Sequence, residues 1–341
     1  MNRQQNLLLG VAMGAAGTLA GRWLLRGRHA IDFAGRNILI SGGSRGLGLV
    51  LARQLAREGA HICLLARDET ELARARARIQ TEAAADAITM RCDIRRRADV
   101  QATIDKLLET WAGVDVLINN AGVIQVGPLE HMKHEDFENA MATHFWGPLH
   151  LIQACIPAMR RRGLGRIVNI SSIGGRVAVP HLAPYSASKF ALAGLSDAIR
   201  AELNQYGIRV TTVYPGLMRT GSPRNAVMKG QHEAEYAWFA ILDALPGLSI
   251  SAERAARQII EACKYGDPEL VITMPAKLAI VANVLAPAAF ASAMMMTARV
   301  LPGPHSSEGD RSKKGYESES RWAPSVATTL SDRAAVANNE V

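Results

Sequence analysis

The stretch Asn37-Ile38-Leu39-Ile40-Ser41-Gly42-Gly43-Ser44-Arg45-Gly46-Leu47-Gly48 decides the fold. Its first five residues form a short apolar strand. Arg45 to Glu58 then follows with apolar residues at helical spacing, and Gly59 is a natural stop. Between them stand three glycines in a GxxxGxG spacing. Gly42 permits a tight turn off the strand. Gly46 removes a Cβ where backbone must approach an anion, and Gly48 lets helix and sheet pack closely. A helix that begins this way presents unpaired N–H groups, a ready site for a pyrophosphate.

The same alternation continues outward. Apolar strand segments are expected at His61–Leu65, Ala87–Cys92, Val114–Asn119, Arg166–Ser171, Ile208–Val213 and Glu269–Thr273. Helical stretches separate them at Glu69–Glu82, Ala98–Trp111, about Phe137–Arg161, Pro184–Gln205 and Ala252–Cys263. Seven short apolar strands joined by helices imply an α/β fold, a parallel sheet covered on both faces. Right-handed crossovers make it a doubly wound, Rossmann-type sheet.

Four regions follow. Residues 1–32 hold the apolar segment Leu7–Leu25, close to bilayer length, interrupted by Arg22 and followed by Arg26 and Arg28. As a membrane anchor it would leave the body cytoplasmic by the positive-inside rule. A cleaved signal peptide, with Thr18-Leu19-Ala20 as cleavage site, and a helix lying on a membrane or partner are the rivals. Residues 33–275 form the α/β domain that holds these strands and helices. Within it Gly221 to Leu248 loses the regular pattern and carries Met228, Tyr236, Trp238 and Phe239, a lid over a pocket or an excursion packing on itself. Residues 276–302 are an apolar extension that Pro287 divides into two short helices, suited to closing the pocket, binding a membrane or pairing subunits. Residues 303–341 are rich in Ser, Gly and charge, and disorder is expected there.

With 48% hydrophobic residues but only 5% aromatic, the chain can bury a large aliphatic core. The net charge of +8 comes mostly from scattered arginines, such as Arg74, Arg76 and Arg78 on one solvated helix face. No basic stretch is interleaved with aromatics, which argues against nucleic acid. Cys63, Cys92, Cys155 and Cys263 are widely spaced and read as buried reduced thiols. His131 and His134, beside Glu130 and Glu135, lack a third ligand at suitable spacing, so no metal is expected.

NAD binding normally requires a carboxylate at the end of strand two, to hold the ribose hydroxyls. Ala66 occupies that position, flanked by Arg45 and Arg67, which can pair with a 2′-phosphate. NADP(H) is therefore the expected cofactor. Asp68, two residues further on, can either reach the ribose or cap the next helix. Tyr185 and Lys189 stand four residues apart at the start of a helix, on one face. A free phenol has a pKa of about 10, and a nearby ammonium favours the phenolate. Ser172, at the end of the preceding strand, can hydrogen-bond a substrate oxygen.

From about Phe33 to Thr273 the sequence resembles the short-chain dehydrogenase/reductase superfamily. The resemblance rests on motifs in order: Ser41 to Gly48, Cys92-Asp93-Ile94, Asn119-Asn120-Ala121-Gly122, Asn169 to Ser172, Tyr185 to Lys189, and Pro215-Gly216. It implies that Tyr185 acts as general acid in reduction and general base in oxidation. Lys189 would lower the tyrosine pKa and hold the nicotinamide ribose, and Ser172 would polarise the carbonyl. Ser41, Gly42, Ser44, Arg45, Gly46, Leu47, Gly48 and Arg67 would surround the phosphates and adenosine. Asp93 and Ile94 would lie at the adenine, Asn120, Ala121 and Gly122 along the cofactor, and Pro215, Gly216 and Thr220 near the nicotinamide.

Two positions depart from the family pattern. Ser41 replaces a threonine and keeps the hydroxyl. His144 falls where the family has an asparagine that supports a water relay behind the lysine; an imidazole can also bridge water and carry a proton. The apolar lid and extension suggest a hydrophobic carbonyl or alcohol as substrate. The family often forms dimers or tetramers. The competing reading is a non-catalytic NADP(H)-binding sensor or scaffold at a membrane, motivated by His144 and the apolar ends. The enzymatic reading requires an open cofactor cleft and a tyrosine hydroxyl that faces it.

Overall fold

The computed structural model describes residues 26–304 and 306–341. Seven parallel strands form the central sheet: β1 (Asn37–Ser41), β2 (His61–Ala66), β3 (Ala87–Arg91), β4 (Val116–Asn119), β5 (Gly165–Ile170), β6 (Ile208–Pro215) and β7 (Glu269–Ile272). Their order is β7-β6-β5-β4-β1-β2-β3. The direction of winding reverses between β1 and β4, so the loops leaving these two strands diverge and open a crevice there.

Both sheet faces are buried, and the two-residue period of a strand divides its side chains between them. Ile38 and Ile40 of β1, with Ile62 and Leu64 of β2, join one core with Leu49, Val50, Ile259 and Ile260. Leu39, Cys63 and Leu65 point the other way, to Ile104, Leu107, Leu151 and Cys155. The covering helices are α1 (Gly46–Arg57), α2 (Glu69–Ala83), α3 (Arg97–Thr110), α4 (His134–Met141), α5 (Gly147–Arg162), α6 (Ala183–Asn204), α7 (His232–Ala244) and α8 (Ala252–Tyr265). The four cysteines are buried and free, and burial pushes Cys63, Cys155 and Cys263 up to about 12, so these thiols are unreactive.

One expected helix is two. Between α4 and α5 the backbone widens into a π-turn at Ala142–Trp146, with His144 at its centre. Such widened turns insert an extra residue and are frequent at functional sites. The irregular stretch after β6 contains α7 and the short strand Val227–Met228. With Val126, Leu182, Tyr236 and Phe239 it makes a third apolar cluster.

Pro287 opens the second of two helices, α9 (Met274–Leu285) and α10 (Pro287–Val300). Both turn apolar side chains outward, among them Leu278, Val284, Leu285 and Met296. Among the described residues no helix is long and apolar enough to cross a membrane. The segment Leu7–Leu25, expected as an anchor, lies outside the described residues.

The expectation of disorder over 303–341 is corrected. The segment's described residues pack on the stretch 217–244 and on the loop after β1. Lys313–Lys314 pairs antiparallel with Val227–Met228, and Gly315 donates its N–H to Ala226 O (2.9 Å). Helix α11 (Thr329–Ala337) then packs on α7, where Ser331 donates to Asp243 (3.1 Å). The segment has no apolar period because it is held by hydrogen bonds to distant residues, which composition does not register.

Candidate active site

The glycine-rich loop is built as its sequence requires. A Cβ on Gly48 would lie 2.1 Å from Gly42 O, and one on Gly42 would lie 2.6 Å from Ala121 Cα, so neither position admits a side chain. Ser41 Oγ accepts the N–H groups of Asn120 (3.2 Å) and Ala121 (3.3 Å), and Asn120 Nδ2 donates to Gly42 O (2.9 Å). The retained hydroxyl thus ties the loop after β1 to the loop after β4.

Asp68 caps α2, accepting from Glu71 N at 2.8 Å. Of the two roles open to it, the cap is the one the structure has. Position 66, at the end of β2, is alanine. Glu71 was not anticipated: it accepts from Ser44 Oγ (2.9 Å) and pairs with Arg45 (2.7 Å). Its signal in the sequence was an acid in the first turn of α2, a position usually explained by the helix dipole alone. Arg67 is exposed. Asp93 is held by Arg95 (2.6 Å), which pulls its carboxyl below the usual range, and buried Ile94 packs at Gly147. Beyond β6, Gly216 donates to Ile272 O (3.0 Å). Thr220 approaches Gly46: a Cβ there would lie 4.0 Å from its own. Leu47, buried, lies in the first turn of α1.

At the opposite end of the crevice, Ser172, Tyr185 and Lys189 converge. Ser172 follows β5; its Oγ accepts from Gly174 N (3.0 Å) and hydrogen-bonds the Tyr185 hydroxyl. Tyr185 enters from the first turn of α6 and keeps part of its surface open. It packs against the apolar cluster of Val126, Leu182, Tyr236 and Phe239. Lys189, one turn on, donates to Ile170 O (2.8 Å), with its Nζ 5.6 Å from the Tyr185 ring centroid.

Burial pushes Tyr185 above its ordinary value and brings Lys189 down to about 7. Desolvation penalises the charged form of each group, and the hydrogen bond from Ser172 opposes it at Tyr185.

His144 also differs from expectation. Val123 N–H donates to its Nε2 (3.1 Å), so that nitrogen must accept and the proton sits on Nδ1. Nδ1–H donates to Ser188 Oγ (2.7 Å), and Ser188 donates on to Tyr185 O (2.8 Å). Burial and the charge of Lys189 hold the imidazole well below the usual histidine range. Both ring nitrogens are occupied by the protein itself, which leaves none to bridge water. The ring meets Tyr185 edge-on at 5.5 Å. Ser188, the partner that explains this histidine, lay within the Tyr185 to Lys189 motif and was not singled out.

The two histidines weighed as a metal pair have other partners: His131 pairs with the distant Asp310 (2.9 Å) and His134 with Glu138 (3.3 Å). Among the described residues no group of three or more His, Cys, Asp or Glu could hold a metal ion.

A family model described as short chain dehydrogenase matches residues 36–229. The chain belongs to the short-chain dehydrogenase family. It is 32% identical over 271 residues to dehydrogenase/reductase SDR family member 7B of Bos taurus, covering 77% of this chain and 81% of that protein. It is 34% identical over 204 residues to 3-ketodihydrosphingosine reductase of Bacteroides thetaiotaomicron, covering 59% and 71%. A metagenomic short-chain oxidoreductase solved in complex with NADP superposes with a TM-score of 0.52 at 36% identity, over 55% of this chain and 84% of that one. Membership makes the chain an oxidoreductase acting on a carbonyl or alcohol carbon of a small molecule, with a nicotinamide dinucleotide as cofactor.

Proposed function

We propose that this chain is an NADP(H)-dependent reductase that interconverts a carbonyl and a secondary alcohol on a hydrophobic substrate. The observation that carries the reading is the convergence of Ser172, Tyr185 and Lys189 beside an apolar cluster, at one end of a crevice whose other end is a glycine-rich loop. The loop fits a dinucleotide once residues 338–340 leave it: Gly42 and Gly48 have no room for a Cβ, and the first turn of α1, whose Gly46 N–H is held by Asn338 O, would then offer N–H groups to phosphate oxygens. Such a cofactor, when bound, supplies the hydride in reduction or accepts it in oxidation.

The chain's own part is to position the substrate and move a proton. Ser172 Oγ and the Tyr185 hydroxyl hold the substrate oxygen. As the carbonyl carbon is reduced, its oxygen becomes an alkoxide, and the Tyr185 O–H gives up its proton to it. A phenol is far more acidic than an alcohol, so this transfer runs downhill; in oxidation the same hydroxyl would take the proton back. Lys189 restores the proton and holds the nicotinamide ribose. His144 and Ser188 position the first turn of α6, and with it Tyr185.

Ala66 at the end of β2 and the helix-capping Asp68 support NADP(H) over NAD(H), with Arg45 and Arg67 on the 2′-phosphate. Glu71 competes for Arg45 and must yield part of it. Support for a hydrophobic substrate comes from Leu182, Met228, Trp238 and Phe239 around Tyr185 and from the sphingoid-base reductase among the relatives. The test is turnover of NADPH and NADH across a panel running from long-chain aliphatic ketones to small charged keto acids. Preference for NADPH with the apolar ketones is expected. Turnover confined to charged substrates would overturn the substrate class, and a preference for NADH would overturn the cofactor. NADPH binding with no turnover on any substrate would instead favour the non-catalytic sensor.

A further inference from the structure

The loop that should receive the dinucleotide phosphates is covered by the chain's own residues. Asn338, Asn339 and Glu340 are buried, at 1%, 3% and 9% exposure. Asn338 O takes the N–H of Gly46 at 2.8 Å, the first free donor of α1. Asn339 Nδ2 donates to Ser44 O (2.8 Å). The Glu340 carboxylate lies over Gly46, where its Oε1 would be 2.6 Å from a Cβ built there. Its Oε2 pairs with Arg45 Nε (3.4 Å) and accepts from Asn225 Nδ2 (2.7 Å). Across the crevice, Asn338 Nδ2 donates to Thr220 O (3.3 Å).

We propose that residues Asn338–Glu340 are a built-in occupant of the dinucleotide phosphate site, and that the docked segment holds the enzyme in a cofactor-excluding state. The proposal rests on the dinucleotide reading of this loop given above. Asn338 O on the Gly46 N–H and the Glu340 carboxylate on Arg45 occupy donors that a phosphate would use. Two anions cannot share them, so cofactor and segment compete.

The preceding residues act as a strap that delivers the plug. Arg78 donates to Val336 O (2.9 Å), and Ser331 holds to the lid through Asp243. Because α11 rests on lid helix α7, docking the plug and seating the lid are mechanically linked. The docked state carries a cost that keeps it reversible. Burial drives both Glu340 and Asp243 up to about 7, which means that water would hold each carboxylate more favourably than this interface does. Apparent affinity for a ligand falls in proportion to the fraction of molecules whose site is open. A segment docked nine-tenths of the time therefore weakens cofactor binding about tenfold.

The test compares NADPH binding, by protein-fluorescence titration, for the full chain, a chain stopped after Thr328, and the full-length variant Glu340→Lys. The variant sets a cation against Arg45 and expels the segment even if the shortened chain should fail to fold. Binding about tenfold tighter in both altered chains is expected, and a peptide of residues 329–341 added to the shortened chain should restore the weaker value. Equal affinity in every folded chain would overturn the proposal. Weaker binding after removal would also overturn it, because the segment would then be a clamp that closes on bound cofactor. Should no folded chain bind NADPH or NADH, the dinucleotide reading itself fails, an outcome distinct from the other two.

Discussion

The two ends of the crevice are built from different ranges of sequence. At the proton-transfer end, Ser172, Tyr185 and Lys189 lie within eighteen residues of one another, and Ser188 and Ile170 fall among or beside them. At the phosphate end, Gly46 is met by Asn338 and Glu340, almost three hundred residues further along the chain. The first arrangement follows from a strand feeding a helix and is carried by local spacing. The second depends on a long strap finding its place, and no local pattern announces it.

That contrast can be broken or sharpened by substitution. The largest effect is expected for Gly48→Ala. Its Cβ would lie 2.1 Å from Gly42 O and 2.6 Å from Asn120 Nδ2, so the loop must open at the junction of β1 and β4. NADPH binding should weaken by two orders of magnitude or more, on the general scale of losing several hydrogen bonds at once. Retained binding by titration would show that the loop is not the phosphate site.

Next in size is His144→Phe. It leaves Val123 N–H and Ser188 without their partner at a buried position, a loss of about 1–3 kcal/mol in stability. Thermal unfolding checks this. His144→Asn, which can again accept from Val123 N–H, should recover part of the loss. The pH profile of turnover should keep its shape in His144→Asn, because this histidine is already neutral at working pH. A profile that lost an inflection would restore the proton relay.

A smaller effect is expected at Lys189, and its sign is fixed by the direction of the shift. Burial lowers its pKa from 10.5 to about 7, so between these values the unfolded chain binds more protons than the folded one. Wild-type stability from this group thus rises as pH climbs from about 7 towards about 10. Lys189→Met removes the penalty. It should unfold several degrees higher than wild type at pH 7, the gap closing near pH 10, while turnover is lost. A variant less stable at pH 7 would contradict the burial argument.

The smallest effect is expected for Asp68→Ala, which removes the cap of α2 and should cost about 1 kcal/mol. The ratio of NADPH to NADH turnover should not move. If it does, Asp68 reaches the ribose after all.

The sheet was legible in the sequence because each strand had to be apolar on both faces, as Ile38, Leu39 and Ile40 show by facing alternate cores. So were the glycine loop and the triad of Ser172, Tyr185 and Lys189, whose spacing is set by one strand and one helix turn. Three things were not. The π-turn around His144 has no periodic signature, since one extra residue hides inside an otherwise continuous helical pattern. The roles of Glu71 and Asn225 depend on which distant groups they meet. The segment 303–341 reads as polar and aperiodic, yet backbone and side-chain hydrogen bonds order it from Asp310 to Glu340.

The central claim is that the Tyr185 hydroxyl delivers the proton in an NADPH-dependent reduction. Its most direct test is single-turnover reduction of an apolar ketone by wild type and Tyr185→Phe, with NADPH affinity measured in parallel. The account predicts a rate lower by about 10²–10⁴ in the variant, on the scale of losing a general acid, with affinity for NADPH unchanged. Equal single-turnover rates in the two proteins would contradict it.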